Sequence, residues 1–409
     1  MSTVLATFSV LKDHVKLRVN QDSVAIDNIV FKLHYRATFL ILLIGCLLVT
    51  SRQFIGDHIK CIIDNDERIL GHVIDTFCFF TSTFTVSKYM NATEVELGHI
   101  PHPGIGSHTE EDEIVHHAYY QWVPFVLFFQ AILFYIPHYL WRSAEGGRLK
   151  VLVSGLHTAS LCLRDEKLDM GNGKSIPSKA DRDEKIQIIR NAFLNRLHAN
   201  RPWAYYLGFC EVLNFVNVLG QIYVTNWFLG GAFMDLGNLV TQADETDWNQ
   251  KMTPLDVVFP KVTKCIFHKY GPSGGIQRHD ALCIMALNIV NEKIYTFLWF
   301  WFIILAVITG LALVWRILTM ILHARSIGFN RLIFSMACPG KYNPWDVLRV
   351  THEYHFGDWL FLYYIAKNLD NYVFKELLEQ LAHDMEDWRA SRLKQRLPTL
   401  DEEEPLKTI

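Results

Sequence analysis

The sequence contains no internal repeat, low-complexity run or heptad pattern, which excludes collagen-like, coiled-coil and disordered proteins. An excess of one charge is also missing, because 39 Lys and Arg residues stand against 42 Asp and Glu residues. Such a balance argues against a nucleic-acid partner. Cysteine is sparse, with 8 in 409 residues, so the chain is not a small domain held together by disulfides alone.

Motifs of enzymes and metal sites are missing as well. The sequence has no Walker loop, nucleophile elbow or kinase motif set. Among its 18 histidines, His352 and His355 form H-E-x-H, one residue short of the zinc-binding pattern H-E-x-x-H. The glycine-rich stretch 271–275 indicates a turn. We therefore predict no catalytic residue, no metal site and no cofactor.

Hydrophobic residues make up 50% of the chain and are concentrated in four stretches. The clearest, Ile294 to Trp315, has 22 residues without a charge, or about 33 Å of helix, which is enough to cross a bilayer. Aromatic residues flank the second stretch at both ends, as at a membrane interface. The sequence thus predicts an all-α integral membrane protein. Its four spanning helices are predicted at residues 36–54, 119–141, 203–229 and 293–322.

The charges of the connecting loops predict the orientation in the membrane. Residues 142–202 hold 12 Lys and Arg against 7 Asp and Glu, whereas residues 53–118 hold 3 against 11 and residues 230–292 hold 5 against 7. Because basic loops stay in the cytoplasm, the loop 142–202 is predicted to be cytoplasmic, and with four spans both termini lie on its side. The predicted cytoplasmic parts are 1–35, 142–202 and 323–409, and the predicted extracellular loops are 55–118 and 230–292.

Four cysteines lie in the predicted extracellular loops, two in each loop: Cys61, Cys78, Cys265 and Cys283. The oxidising environment predicts two disulfides, and spacing leaves three possible pairings open. A zinc site is the competing interpretation, but the loops lack the close C-x₂₋₄-C pair. Asn91 begins an Asn-Ala-Thr sequence in the first of these loops, so Asn91 is a candidate for N-glycosylation.

The third predicted span carries a row of polar residues: Glu211, Asn214, Asn217 and Gln221. Their spacing of i, i+3, i+6 and i+10 places them on one sector of a helix. Polar residues at membrane depth face either a water-filled pathway or a neighbouring helix to which they hydrogen-bond. The sequence leaves both interpretations open, and the four residues are candidates for lining a pore.

Pro137 lies near the end of the second predicted span. Proline has no N–H group, so the carbonyl of Leu133 loses its helical hydrogen-bond partner. The resulting kink is either a hinge that takes part in gating or a static bend.

The cytoplasmic parts show helical periodicity. In the loop, Asp183 to Leu197 carries an apolar stripe, and in the tail Asp370 to Trp388 carries another. A third apolar block runs from Asp358 to Tyr364. We predict that these helices pack together as a cytoplasmic helical domain, which is followed by an acidic run at 401–404.

One sequence block at the second span has a family resemblance. Tyr119-Tyr120-Gln121-Trp122-Val123 resembles the hallmark of innexins, the invertebrate gap-junction proteins. The likeness extends over essentially the whole chain, with the insect members most similar. Its other blocks include Glu145-Gly146-Gly147-Arg148, Phe259-Pro260-Lys261-Val262-Thr263-Lys264-Cys265, His279-Asp280-Ala281-Leu282-Cys283 and Gly357-Asp358-Trp359.

The resemblance implies the assembly and the disulfide pairing. It implies that Cys61 pairs with Cys283 and Cys78 with Cys265. It also implies a homo-oligomeric ring of eight subunits around a wide pore, with other innexins as further partners. The amino-terminal segment, beginning with Met1, Ser2, Thr3 and Val4, would fold into the cytoplasmic mouth of that pore.

Three functions are compatible with these features. The first, which the resemblance implies, is a gap-junction channel at the plasma membrane, formed by two rings that dock through their extracellular loops and pass ions and small metabolites between cells. The second is a non-junctional hemichannel, in which a glycan at Asn91 hinders docking. The third is a four-span adhesion or scaffold protein without a pore.

Overall fold

The structure, a computed structural model, describes most of the 409 residues. The described residues are 24–55, 59–63, 71–91, 94–95, 97–109, 111–154, 156, 168–169, 175–176, 178–197, 199–244, 254–340 and 354–396. The predicted pore-mouth residues Met1 to Val4 lie outside these ranges, as do His352 and the acidic run 401–404.

Helices account for most of the described chain. Helix α1 begins at Ile29–Lys32, passes through a π-helical segment at Leu33–Thr38 and continues as Phe39–Ile55. The other helices are α2 (Gly71–Thr81), α3 (Val123–Glu145), α4 (Arg148–Val153), α5 (Lys179–Asn195), α6 (Arg201–Phe228), α7 (Leu236–Asp244), α8 (Ala286–Leu322), α9 (Ile327–Ala337), α10 (Phe356–Asn368) and α11 (Asn371–Arg396).

The strands have between two and nine residues and lie between helices. They are β1 (Lys60–Ile62), β2 (Thr83–Val86), β3 (Ile114–His117), β4 (Leu168–Asp169), β5 (Ser175–Ile176), β6 (Val262–Tyr270) and β7 (Ile276–Ile284). Short 3₁₀ turns occur at Ser87–Tyr89, Tyr119–Gln121 and Pro254–Val257.

Four helices are long and apolar enough to cross a membrane, which confirms the predicted class of membrane protein. They are Ile29–Gln53, Val123–Glu145, Arg201–Phe228 and Ala286–Leu322. The first begins at Ile29, before the predicted boundary at residue 36. The last, with 37 residues, is about 55 Å long and exceeds a hydrocarbon core of about 30 Å, so it extends into the aqueous phase.

The chain divides into two compact units, which are described separately. The membrane–loop unit comprises Ile29–Trp141 and Gly208–Trp315. The helical unit comprises Met1–Asn28, Arg142–Leu207 and Arg316–Ile409. The first contains the larger part of every candidate span and the two loops with paired cysteines, and the second contains the predicted cytoplasmic helices.

A five-stranded antiparallel sheet in the membrane–loop unit is the main feature that the sequence analysis did not predict. Its strand order is β1-β7-β6-β2-β3. Strands β6 and β7 form a hairpin, with Val262 opposite Ile284 and Tyr270 opposite Ile276. The glycine-rich stretch 271–275 is the hairpin turn, as predicted, and Gly274 adopts a φ of +82°, which favours glycine.

The helical unit is built around α10. The side chains of Trp359, Phe361, Leu362 and Ile365 are all buried, on every side of this helix. In α5, Ser178 and Asp181 form a capping box that begins the helix. The side chains of the predicted apolar stripes are buried at Ile186, Ile189 and Phe193 on α5 and at Phe374, Leu377, Leu378, Leu381 and Met385 on α11. Leu197, the last residue of the predicted α5 stripe, is half-buried and lies after the end of the helix at Asn195.

Candidate functional site

Two cysteine pairs connect the loop after α1 to the loop before α8. The sulfur atoms of Cys61 and Cys283 lie at disulfide-bonding distance, as do those of Cys78 and Cys265. Strands β1 and β7 place Cys61 directly opposite Cys283. Helix α2 carries Cys78, and β6 carries Cys265. These are the two pairs that the family resemblance implies.

The same cysteines form a close cluster of sulfur atoms. The Sγ atoms of Cys61, Cys78 and Cys283 lie within 4.8 Å of one another. Zinc requires thiolate ligands, whereas each of these sulfurs is bonded to another sulfur. The cluster is therefore best described as two adjacent bridges that hold β1, α2, β6 and β7 together.

The sequence motif 119–122 joins the second candidate span to this sheet region. The Tyr120 hydroxyl donates to the carbonyl oxygen of Phe79 at 3.2 Å, and the Gln121 amide donates to the same oxygen. The Tyr119 hydroxyl donates to the carbonyl of Val258 at 3.3 Å. Trp122 instead is 60% exposed, in the position of an interfacial aromatic residue. The motif thus fixes the loops to the start of α3.

The polar row of α6 faces the interior of the membrane–loop unit. Glu211, Asn214 and Gln221 are buried within the single chain, and Asn217 is half-buried. The Gln221 amide donates to Asn217 Oδ1 at 3.2 Å. This hydrogen bond lies within α6, and the three buried side chains pack inside the single chain.

Two further residues extend the polar row, and sequence reasoning did not connect them. Thr225 continues it by one turn, and its hydroxyl donates to the carbonyl of Gln221 at 2.7 Å. Gln130 on α3 donates to Thr225 Oγ1 at 2.8 Å. Gln130 interrupts the apolar stretch 122–136. This interruption is the sequence signal that could have indicated a polar contact of α3.

Pro137 lies inside α3, near the π-helical segment Leu33–Thr38 of α1. The ring of His138 stacks on Tyr35, with 3.6 Å between ring centroids. Tyr35 belongs to the π-helical segment of α1, which Trp301 contacts by donating to Thr38 Oγ1 at 2.9 Å. Proline and a π-helical segment are two of the usual causes of helix distortion, and His138, next to Pro137, packs on the π-helical segment. Nothing in the sequence signalled the π-helical segment.

One face of the sheet carries charged groups that surround a cavity. Lys264 is buried, and its ammonium donates to the carbonyl of Gly106 at 2.8 Å and lies 3.1 Å from Asp280. A cavity of about 630 Å³ opens there, lined by Lys264, Asp280, Arg278 and Asp112 among others. The hydrogen bond from Lys88 lowers the pKa of Asp112 to about 2, so Asp112 stays charged at neutral pH.

Asn91 is exposed and follows the 3₁₀ turn Ser87–Tyr89, close in sequence to β2. Its backbone carbonyl accepts a hydrogen bond from Val95 at 3.2 Å. The other two residues of the glycosylation sequence, Ala92 and Thr93, lie outside the described residues.

Comparison with known proteins agrees with this architecture. The innexin family model matches residues 27–385. The chain is 49% identical to Innexin inx7 of Drosophila melanogaster over 384 residues, which is 93% of this chain and 85% of that protein. It is 45% identical to Innexin inx2 of Schistocerca americana over 375 residues, which is 91% of this chain and 97% of that protein.

A third relative gives the same result. Innexin inx2 of Drosophila melanogaster is 46% identical over 380 residues, which is 91% of this chain and 94% of that protein. A match of the family model over nearly the whole chain, together with four candidate spans and two paired sets of loop cysteines, leads to one assignment. The chain belongs to the innexin family, whose members are subunits of gap-junction channels in the plasma membrane.

Proposed function

We propose that eight copies of this chain form a ring and that two rings dock across the gap between neighbouring cells. The single observation that carries the docking role is the five-stranded sheet, which unites residues from both predicted extracellular loops. Two cysteine pairs and the 119–121 hydrogen bonds hold these loops in one conformation. A rigid docking surface loses little conformational entropy when it binds its partner.

The charged face of the sheet is suited to recognition of another ring. Lys264, Arg278, Asp112 and Asp280 provide charges of both signs around one cavity. Mixed charges on two facing surfaces fix register and exclude partners with the wrong pattern. We therefore propose that this face determines which rings dock with one another, whether homo-octamers of this chain or rings of other innexins.

The orientation follows from the loop charges. The basic loop 142–202, the amino-terminal segment and the tail lie in the cytoplasm, and the sheet lies outside the cell. Formation of the two disulfides is supported by this orientation, because the extracellular space is oxidising.

Different residues serve the pore and its walls. Met1, Ser2, Thr3 and Val4 form the cytoplasmic mouth, as the resemblance to the family implies. The buried row of Glu211, Asn214, Asn217 and Gln221 holds α6 against its neighbours and so sets the shape of the bundle. Pro137 lies inside α3 near the cytoplasmic end of this bundle, where its missing N–H group favours a bend.

Paired cells test the proposal directly. The protein is expressed in both cells, and junctional conductance and single-cell membrane current are recorded together. Junctional conductance supports docked channels. Surface expression without either current would contradict a channel formed by this chain alone and favour the scaffold function, unless another innexin restores the current.

A hemichannel that does not dock is the second candidate, and the exposure of Asn91 is the observation that favours it. A glycan at this position would keep two rings apart. In that case Asn91→Gln and Thr93→Ala, which both destroy the acceptor sequence, increase junctional conductance, whereas Thr93→Ser retains the sequence and serves as the control. Equal conductance in all three variants would contradict this second function.

A further inference from the structure

An apolar groove runs between α1 and α8 in the membrane–loop unit. Its volume is about 290 Å³, close to the lower end of the ~300–1,000 Å³ typical of ligand pockets. Ile44, Leu48 and Phe297 form its walls, and each is about half exposed. Leu42, Leu127 and Leu298 form its buried floor. Every lining residue except Lys293 is apolar or glycine.

Gly45 creates the space in the groove. A Cβ atom at this position would lie 3.6 Å from Ile294 Cγ2 and 3.6 Å from Leu127 Cδ1, so a methyl group fits and a larger side chain would extend into the groove. Helix α1 leads into the loop with Cys61, and α8 begins directly after β7. Leu48 and Lys293 therefore lie at the end of the groove nearest the sheet, and Ile41 and Phe297 lie deeper in the bilayer.

Lys293 gives the groove one polar end. Its side chain is 73% exposed, and its Nζ lies 2.7 Å from Glu292 Oε1. Glu292 also has Lys261 at 3.7 Å, so its charge does not depend on Lys293 alone. An ammonium has three N–H donors, and this exposure leaves donors of Lys293 directed to the surroundings. The charge-free stretch begins at the next residue, Ile294, which places Lys293 at the membrane boundary.

We propose that this groove binds one phospholipid, with an acyl chain along the apolar floor and the phosphate beside Lys293. A groove at this depth is surrounded by hydrocarbon, and empty space would forfeit dispersion contacts that a flexible chain can make. Basic groups between spanning helices bind phosphate headgroups. A phospholipid combines these two features, a long apolar chain and one anion, and the groove offers an apolar floor with one ammonium at its end.

Photoreactive lipid tests the proposal on the full-length protein. The chain is reconstituted in phosphatidylcholine vesicles that contain phosphatidylglycerol with a diazirine on one acyl chain, and labelled peptides are identified by mass spectrometry. We expect label on residues 41–48 and 294–298, in excess of label on the exposed Phe125 and Phe129 of α3. Gly45→Leu should lower groove labelling about tenfold, which corresponds to ~1.4 kcal/mol of binding free energy.

Matched variants distinguish a lipid site from nonspecific labelling and from contact with a second subunit. Gly45→Ala should label like the parent chain, because its methyl group makes ordinary contacts. Lys293→Ala should lower groove labelling and Lys293→Arg should retain it, and neither change alters the apolar floor. Uniform labelling of all exposed span residues, unchanged by Gly45→Leu, would overturn the proposal. So would disulfide-linked dimers of Leu48→Cys, because these would show that a second copy of the chain covers the groove.

Discussion

The sheet of the membrane–loop unit and the helices of the helical unit are held together by different means. The sheet joins strands from two separate loops, which are linked by two cysteine pairs at disulfide-bonding distance. The helical unit surrounds α10 with apolar side chains, and its described cysteine, Cys338, is a buried thiol that donates to Asn371 Oδ1 at 2.8 Å. Where a core is small, covalent links replace part of the hydrophobic stabilisation.

In the helical unit, hydrogen bonds and an ion pair between helices take the place of covalent links. Asn200 donates to Asp358 Oδ1 at 2.9 Å, and the Trp359 indole donates to Asn330 Oδ1 at 3.0 Å. Arg190 binds both carboxylate oxygens of Asp384. These bonds fix the register of the helices around an apolar core. The two units of one chain thus rely on different chemistry, cysteine pairs in the sheet and hydrogen bonds and ion pairs between the helices.

The largest effect on junctional conductance is expected from breaking a bridge of the sheet. Cys61→Ser removes the link to Cys283 and should abolish junctional conductance, because loss of a native disulfide costs about 2–5 kcal/mol. Cys46→Ser is the matched control, since Cys46 is a free thiol in α1. Both variants are compared by surface labelling and paired-cell recording. Normal junctional conductance in Cys61→Ser would contradict the proposal that the disulfide-linked sheet is the docking surface.

A substitution in the helical unit should act without changing the bridges. Trp359 is buried and stacks on Phe356, so Trp359→Ala should destabilise this unit by about 3–5 kcal/mol. Limited proteolysis of the tail measures the loss, and non-reducing electrophoresis measures the disulfides. Tyr372→Ala, at a residue that is 74% exposed, is the control. Equal protease resistance of Trp359→Ala and Tyr372→Ala would refute the role of α10 as the core.

Acid should weaken the sheet through His117. Burial first, and the neighbouring His116 second, lower the pKa of His117 from 6.5 to about 4. The unfolded chain therefore binds this proton first as pH falls. The resulting stability is fully present above pH 6.5 and is lost toward pH 4, by about 3 kcal/mol in total.

Hydrogen exchange of β2 and β3 at pH 7 and at mildly acidic pH measures this loss. His117→Gln should flatten the pH dependence of this exchange, because glutamine does not titrate. In the parent chain His117 Nε2 lies 2.9 Å from Thr85 Oγ1, and the glutamine amide has to replace this contact. The exposed His102 supplies the control variant His102→Gln. The same pH dependence in both variants would show that another group is responsible.

The smallest effect is expected at Pro137. The side chain is buried and the adjacent His138 stacks on Tyr35, so we expect the bend to be static. Pro137→Ala should leave the voltage dependence of junctional conductance unchanged. A shifted voltage dependence would instead identify Pro137 as a gating hinge. Tyr139→Ala, at an exposed position on the same helix, controls for nonspecific changes of α3.

The cysteine pairing illustrates which features of the site could be predicted from the sequence. Loop position and charge predicted that Cys61, Cys78, Cys265 and Cys283 form two bridges, and family resemblance implied which ones. Spacing left three pairings open, because the pairing depends on which strands lie side by side. The opposition of Cys61 and Cys283 across β1 and β7 supplies that information.

The polar row of α6 shows a limit of periodicity. The spacing of Glu211, Asn214, Asn217 and Gln221 correctly grouped them on one helix face, but periodicity does not say what that face contacts. Burial within the chain and the bond from Gln130 to Thr225 depend on the packing of α6 against α3. The π-helical segment of α1 likewise depends on its neighbours, and the sequence carries no local sign of it.

The four spans, the apolar stripes of α5 and α11 and the family could be read from the sequence, because hydrophobicity and period are local properties of the chain. The five-stranded sheet, the groove at Gly45 and the direction of the α6 polar face emerge only when the chain is folded. Each of these requires residues far apart in sequence to meet, as Cys61 and Cys283 do across 222 positions. Such contacts depend on the closure of long loops and on packing, which no local pattern records.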